Sequence, residues 1–441
     1  MIVIGIVIGA GIFLTTGIIA KSIPSPPLIL LAFVFGGILS LAGALAYAEL
    51  GAAIPDAGGQ YVYIRKAFGS LPGFLFGWVM FLVYMTGAIA ACAVAFAEYF
   101  GYFFPSLGTD KFIYSMTVSL FGASVPYSLS MGQIVGIVII IVLSLCNFIG
   151  LVFGSIIQNI FTVLKIGALA ALVGLGFLIG KGEHIEFSFG GFGTGRSSLL
   201  MGFGVAMIAV IWTYGGWNCL SFTAGEIKNP KRNLPLSLIY GVMGVAVIYV
   251  VVNYIYLYAL PIDEMIGVVR VAEKAATALF GGTGAALISA AVMISTFGAI
   301  NATVLTGARV YYAMAKDNLF FKRVGNVHPR FRTPGFSIFI QCVWSCILTL
   351  SGSFEQIITY VTFVLIMFYI AAVASLFTLR KKYPDLPRPY KTWGYPVVPF
   401  LYIIALSGLL LNTLVNKPAE ALFGLGIVAI GIPVYFYWKR K

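Results

Sequence analysis

Charge is scarce in this sequence. Asp, Glu, Lys and Arg make up only 9% of its 441 residues, where a soluble globular domain carries about 25%. A water-soluble fold is excluded on that ground. Histidine is scarcer still: His184 and His328 both lie between apolar stretches, and no HExxH motif exists. The aspartates Asp56, Asp110, Asp263, Asp317 and Asp385 also fall outside the apolar runs. Hydrolysis inside a bilayer needs a metal motif, a Ser–His pair or paired aspartates, and none can be assembled here. No GxxxxGK[ST] loop is present to cradle ATP. Cys92, Cys146, Cys219, Cys342 and Cys346 sit inside apolar runs at spacings unlike a metal site, so they read as packing. No enzyme and no cofactor are expected. A channel would want a filter of carbonyls or charges, and nothing resembles one.

What is present is apolar sequence, 60% of the chain. Crossing the hydrocarbon takes about 20 residues of helix, and twelve such runs can be placed, at roughly 1–20, 28–50, 72–104, 131–150, 153–180, 199–224, 235–259, 282–315, 336–352, 354–379, 396–415 and 421–438. The expected fold is an all-α polytopic membrane protein, multi-pass in the plasma or inner membrane. The net charge of +13 could suggest nucleic acid, but the basic residues cluster in short loops, a pattern of membrane topology and lipid attraction. Arg65, Lys66, the 309–332 stretch, the 380–391 stretch and Lys439-Arg440-Lys441 all fall on one side, which places both termini in the cytoplasm. Fewer basic residues, Lys21, Lys111, Lys181 and Arg196 among them, face outward. From Met1 to Ile8 is only about 12 Å of helix, so the natural chain is expected to begin upstream. Three connectors stand out. Pro55 to Gly69 reads as a turn and a short cytoplasmic helix. Residues 262–280 read as an amphipathic cap, and the proline-rich Lys382 to Pro399 cannot be helical throughout.

Two apolar runs carry interruptions. Ile211-Trp212-Thr213-Tyr214-Gly215-Gly216-Trp217-Asn218 holds adjacent glycines, each about 1 kcal/mol worse in a helix than alanine. Gly5 to Phe13 holds Gly9-Ala10-Gly11. A freed N–H or C=O inside a bilayer costs several kcal/mol unless something satisfies it. Paired interruptions in two halves of a chain therefore point to a transporter's substrate site. Carbonyls would come free near Val7 and Ile8, and N–H groups near Gly9, Ala10, Gly11 and Ile12, backed by the positive end of a helix dipole. The second break would add carbonyls near Ile211, Trp212 and Gly215, and the Asn218 amide. Acceptors beside donors suit an ammonium and a carboxylate held close together, as in an α-amino acid. No Asp lies in any span, and Glu49 and Glu98 sit towards span ends, so a neutral amino acid is favoured. Helix packing is the competing reading, since Gly5 to Gly9 is itself a GxxxG.

Gly5 to Phe13, the run Glu49 to Gly59 and above all Trp212 to Pro235 (WTYGGWNCLSFTAGEIKNPKRNLP) resemble the amino acid–polyamine–organocation superfamily, within it the L-type amino acid transporter branch. The resemblance implies a LeuT-like fold of about twelve helices, with an inverted five-plus-five repeat over 1–180 and 199–379, broken helices one and six, and two more spans at 396–438. It implies carboxylate binding at Gly9, Ala10 and Gly11 and amine binding at the carbonyls of Val7, Trp212 and Gly215. This chain departs from many relatives in having Ala10 for Ser, and Trp212 for the Phe that closes over the substrate. A bulkier Trp212 suggests small substrates. Animal members pair with a glycoprotein through a disulfide after the third span, yet Pro105 to Met131 contains no cysteine. A stand-alone bacterial-type carrier without a disulfide-linked heavy subunit is expected.

Lys165 lies about twelve residues into its span, roughly 18 Å along a helix and near midplane. A lysine there costs about 2.5–3.5 kcal/mol on insertion scales and needs partners. In resembling families without sodium dependence, a lysine stands here where sodium relatives hold a cation. The expectation is a sodium-independent exchanger or uniporter, with Lys165 and Trp212 as coupling and gating residues. A purely structural Lys165, a proton-coupled symporter and an amino-acid sensor with a transporter fold remain alternatives.

Overall fold

A computed structural model describes residues 2–120, 123–149, 151–180, 196–350 and 354–439. Lys181, His184, Arg440 and Lys441, named above as loop or tail residues, lie outside that set. The first apolar run forms two short helices, α1 (Ile2–Val7) and α2 (Gly11–Ser22), separated by Ile8 to Ala10. Next comes α3 (Pro26–Ala53), with prolines in its first turn, where a missing N–H costs nothing. It stops before Ile54-Pro55, because the residue preceding a proline is steered out of the helical region. Gly58 and Gly59 then turn the chain at φ of +98° and +44°, conformations that favour glycine. The short helix expected beyond them is α4 (Gln60–Phe68).

The third run is one rod made of α5 (Ser70–Val79), a π-helical turn at Met80–Tyr84 and α6 (Met85–Phe103). After it the structure adds something the sequence reading took for a plain connector. Phe112–Leu120 (β1) and Ala123–Ser130 (β2) pair as an antiparallel hairpin. The helices α7 (Met131–Ile149), α8 (Leu151–Ile179) and α9 (Arg196–Tyr214) follow. At Gly215-Gly216 the chain leaves α9 and continues as a 3-10 segment, Trp217–Glu226.

Beyond it come α10 (Pro230–Ala259), α11 (Ile262–Met265) and α12 (Val271–Lys316). Gly281, at φ +71°, interrupts α12, so α11 and the first part of α12 fill the stretch read as an amphipathic cap. The remaining helices are α13 (Gly335–Thr349), α14 (Phe354–Lys382), α15 (Val397–Asn416) and α16 (Pro418–Lys439). The proline-rich tract between α14 and α15 is non-helical. It is tied down by Glu49, which accepts from Arg380 Nε at 2.8 Å and from the Thr392 N–H at 2.6 Å.

Ten helices among the described residues are long and apolar enough to cross a membrane, while α2 and α13 are apolar but shorter. Apart from one hairpin among the described residues, the chain is an all-α polytopic membrane protein. Its core forms where α3 packs on α10, α12 on α6 and α8, and α2 on α9. That last pair brings the two interrupted segments together.

Candidate substrate site between two broken helices

The two breaks touch. A Cβ on Gly11 would lie 2.7 Å from Thr213 Cα, and one on Gly216 would lie 2.5 Å from Ile6 Cγ2. Only glycine lets the backbones approach this closely, and Gly216 also sits at φ +102°. Hydroxyls meet at the crossing: Thr15 Oγ1 lies 2.8 Å from Thr213 Oγ1, and with one proton apiece one of them donates across while the other donates to its own helix, to Gly11 O at 2.8 Å or Ala209 O at 2.7 Å.

A small cavity of about 50 Å³ lies between the breaks. Val7, Gly9, Ala10 and Gly11 line it from the first break, and Trp212, Thr213, Gly215 and Gly216 from the second. Gly11 and Ile12 open α2, so their N–H groups have no intrahelical acceptor and the positive end of the α2 dipole points inward. No charged side chain is among the described residues that line the cavity. Glu49 is held instead by the tract before α15, and neither it nor Glu98 reaches the lining.

Four residues expected at the site are not among those lining this cavity, although the Ile12 N–H still belongs to the open end of α2. The Ile8 carbonyl accepts from Lys165 Nζ at 2.7 Å and Ser295 Oγ at 3.0 Å, so it turns away from the cavity towards α8 and α12. Ile12 and Ile211 are buried in the hydrophobic core and do not contribute to the lining. Both ends of the Asn218 amide have partners: its Nδ2 donates to Gln60 Oε1 at 3.1 Å, and its Oδ1 accepts from Tyr369 at 3.0 Å. Trp217 stacks on the same Tyr369 ring, 5.3 Å between centroids. Asn218 therefore ties the 3-10 segment to α4 and α14 beside the cavity.

The carbonyls at the breaks are also less free than the glycines alone suggest. Gly9 N–H donates to Val7 O at 2.8 Å and Gly215 N–H to Trp212 O at 2.8 Å, each closing a tight turn. The Tyr249 hydroxyl reaches Val7 O at 2.6 Å and Thr213 O at 3.0 Å. A carbonyl oxygen has two lone pairs, so the Trp212 oxygen, with its one turn bond, retains capacity for a ligand, while Val7 O already accepts from both Gly9 N–H and Tyr249.

Lys165 is fully buried. Its ammonium donates to the carbonyls of Gly5 at 2.9 Å, Ile8 at 2.7 Å and Ser295 at 3.1 Å. An ammonium has three hydrogens, and three oxygens from two segments receive them. Two of those oxygens belong to the end of the first broken helix, so Lys165 on α8 holds it against α12.

Several lining residues escaped the sequence reading. Tyr84, Met85, Ala88 and Cys92 come from the π-turn and α6, and Ala299 and Thr303 from α12, with Cys219 from the 3-10 segment. A π-turn inside an α-helix frequently marks a functional site, but no residue pattern announces this one. Tyr249 and Ser295 did carry a signal, being polar groups deep in apolar spans.

This geometry has known counterparts. The amino acid permease family model matches residues 1–430. The chain belongs to that family. The serine/threonine exchanger SteT of Bacillus subtilis (strain 168) is 32% identical over 443 residues, covering 100% of this chain and 95% of that protein. The human large neutral amino acids transporter small subunit 2 is 29% identical over 452 residues, covering 100% of this chain and 79% of its own length. The human cystine/glutamate transporter is 28% identical over 446 residues, with coverage of 100% and 84%. The protein is an amino acid transporter or exchanger of the amino acid–polyamine–organocation superfamily, similar to the L-type branch and of bacterial type, and not an enzyme.

Proposed function

We propose that this protein is a sodium-independent exchanger or uniporter of small neutral L-amino acids, working alone in the cell membrane. The observation that carries the reading is Lys165. Its Nζ sits among three carbonyls, two of them at the broken end of the first helix, where a bound cation would have to compete with it. The cavity supports binding of a zwitterion: the opening of α2 at the Gly9-Ala10-Gly11 turn suits the carboxylate, and the carbonyls of Trp212 and Gly215 suit the amine, whereas Val7 O would have to give up Gly9 N–H or Tyr249 to join them. The small uncharged lining, closed on one side by Trp212, favours a short neutral side chain. The name of the serine/threonine exchanger relative agrees with that size. The same reading takes 1–180 and 199–379 as inverted repeats, 396–438 as two further spans, and both termini as cytoplasmic. With no cysteine between Pro105 and Met131, it includes no disulfide-linked subunit.

Purified protein in proteoliposomes tests this with a panel of labelled amino acids, with and without internal amino acid, sodium or a proton gradient. Uptake of serine-sized substrates, raised by internal amino acid and unchanged when choline replaces sodium, is the expected result. A sodium requirement, uptake driven only by the proton gradient, or binding without flux would each overturn the reading.

A further inference from the structure

A second cavity, of about 160 Å³, lies between α2, α9, α14 and α15 and shares no lining residue with the substrate site. Lys21 and Ser22 reach it from the end of α2, Thr359 from the start of α14, and Thr413 and Lys417 from the end of α15. Its remaining lining is apolar: Ile18, Val205, Ala206, Ile208, Ala209 and Ile358. No acidic side chain is among the described residues that line it. Polar and apolar parts lie at different depths. A Cβ on Gly202 would be 2.7 Å from Ser22 O, so these two residues are level, and Ala209 is roughly 10 Å further along α9.

Each lysine alone has an ordinary explanation. A cation at a helix C-terminus meets the negative end of the dipole, and a long basic side chain near a span end snorkels to the interface. Neither effect brings Lys21 and Lys417, from opposite ends of the chain, to one cavity. Both stand on the face where basic residues are few, since α15 leaves the basic 380–391 stretch and reaches Lys417 one span later. Lys417 is half-buried and Lys21 exposed. Lys21 has an interaction of its own, but an ammonium carries three hydrogens and can serve a further acceptor. Two cations over an apolar floor match a phosphate attached to a hydrocarbon chain.

We propose that this cavity binds an anionic phospholipid, its headgroup phosphate between Lys21 and Lys417 and part of an acyl chain against Ile18, Ala206 and Ile358. The volume admits the phosphate and a few methylenes, and the rest of the lipid stays in the bilayer. Basic pockets between spans suit such headgroups, and bonds from an ammonium to phosphate are the strong, charge-assisted kind. Phosphatidylcholine brings its own cation beside the phosphate, so two lysines select against it. Inorganic phosphate would leave the apolar floor empty. That floor belongs to α2 and α9, and Ala209 O is an acceptor for Thr213 at the crossing. The lipid would thus brace the halves of both broken helices on this face, whichever amino acid is carried.

The full chain, purified and stripped of native lipid, is titrated with phosphatidylglycerol, with phosphatidylcholine of the same chains and with inorganic phosphate. Native mass spectrometry then counts the adducts that survive. Lys21→Gln/Lys417→Gln should hold phosphatidylglycerol about tenfold more weakly than the parent, the loss expected when charged hydrogen bonds go. Lys228→Gln/Lys231→Gln, on the opposite face, should match the parent. Lys417→Gln alone and Ala206→Leu, which crowds the floor, carry the test should the double variant fail to fold, and each should weaken retention. Equal retention by the parent and the cavity variants overturns the proposal. So does phosphatidylcholine held as firmly as phosphatidylglycerol, or inorganic phosphate that displaces the phospholipid, since the anion alone would then suffice.

Discussion

The hydroxyl of Tyr249 lies 2.6 Å from the Val7 carbonyl and 3.0 Å from that of Thr213, so one side chain on α10 joins the backbones of both helix breaks. Those two oxygens lost helical partners when the chain was interrupted, and Tyr249 restores one donor between them. Tyr249→Phe keeps the ring and its packing while removing the donor. Leaving a buried carbonyl short of a partner costs about 1–3 kcal/mol. We expect the variant to fold, to unfold a few degrees earlier, and to turn over at least several-fold more slowly. Exchange rates beside thermal unfolding curves check this, and a parental rate would show that Tyr249 does not organise the breaks.

Lys165→Ala removes the donor shared by Gly5, Ile8 and Ser295. Bonds from a charged donor are roughly twice as strong as neutral ones, and here they hold the end of the first broken helix, which the proposed transport cycle would have to release. Turnover should therefore fall much further than expression or folded yield. Flux equal to that of the parent would remove Lys165 from the mechanism, as would a sodium requirement in the parent.

The structure changes what Gly11→Val tests. The added atoms would meet the Thr213 backbone, 2.7 Å from the first Cβ, and force α2 away from α9. Substrate affinity should be lost together with some stability. Gly9→Ala is the gentler probe, because its Cβ would meet Ala299 Cβ at 3.3 Å and Ile6 O at 3.5 Å, beside the same break. We expect weaker binding by up to about tenfold, near 1.4 kcal/mol, with the fold retained. Unchanged affinity in a well-folded Gly11→Val protein would rule out carboxylate binding at this break.

Different parts of the architecture were legible from the sequence for different reasons. The spans follow from composition alone, since water cannot satisfy an apolar run and the bilayer can. The breaks follow from Gly9, Gly11, Gly215 and Gly216, because glycine inside a span is costly unless backbone must approach backbone. Lys165 announced itself through depth and charge. The local pattern could not show which groups had already been claimed. Ile8 looked like a free carbonyl until Lys165 and Ser295, 157 and 287 residues away, took it. Asn218 looked like a ligand until Gln60 and Tyr369 occupied its amide. The hairpin was missed for another reason: it lies in a stretch so apolar and uncharged that it passed for a connector between spans.

Trp212 lines the cavity and is 9% exposed, so its indole fills space that a substrate side chain would otherwise take. Trp212→Ala opens that space without touching the backbone groups proposed for the carboxylate and amine. Large apolar amino acids should become substrates or competitive inhibitors. Small ones should bind more weakly by about 1–3 kcal/mol, because a gap replaces contact and closure over the substrate is incomplete. Competition by an apolar amino acid series against a labelled small substrate reads out both effects at once. If the variant keeps the parent's ranking, the size limit lies with Met85, Ala88, Ala299 and Thr303 on α6 and α12, and Trp212 serves closure alone.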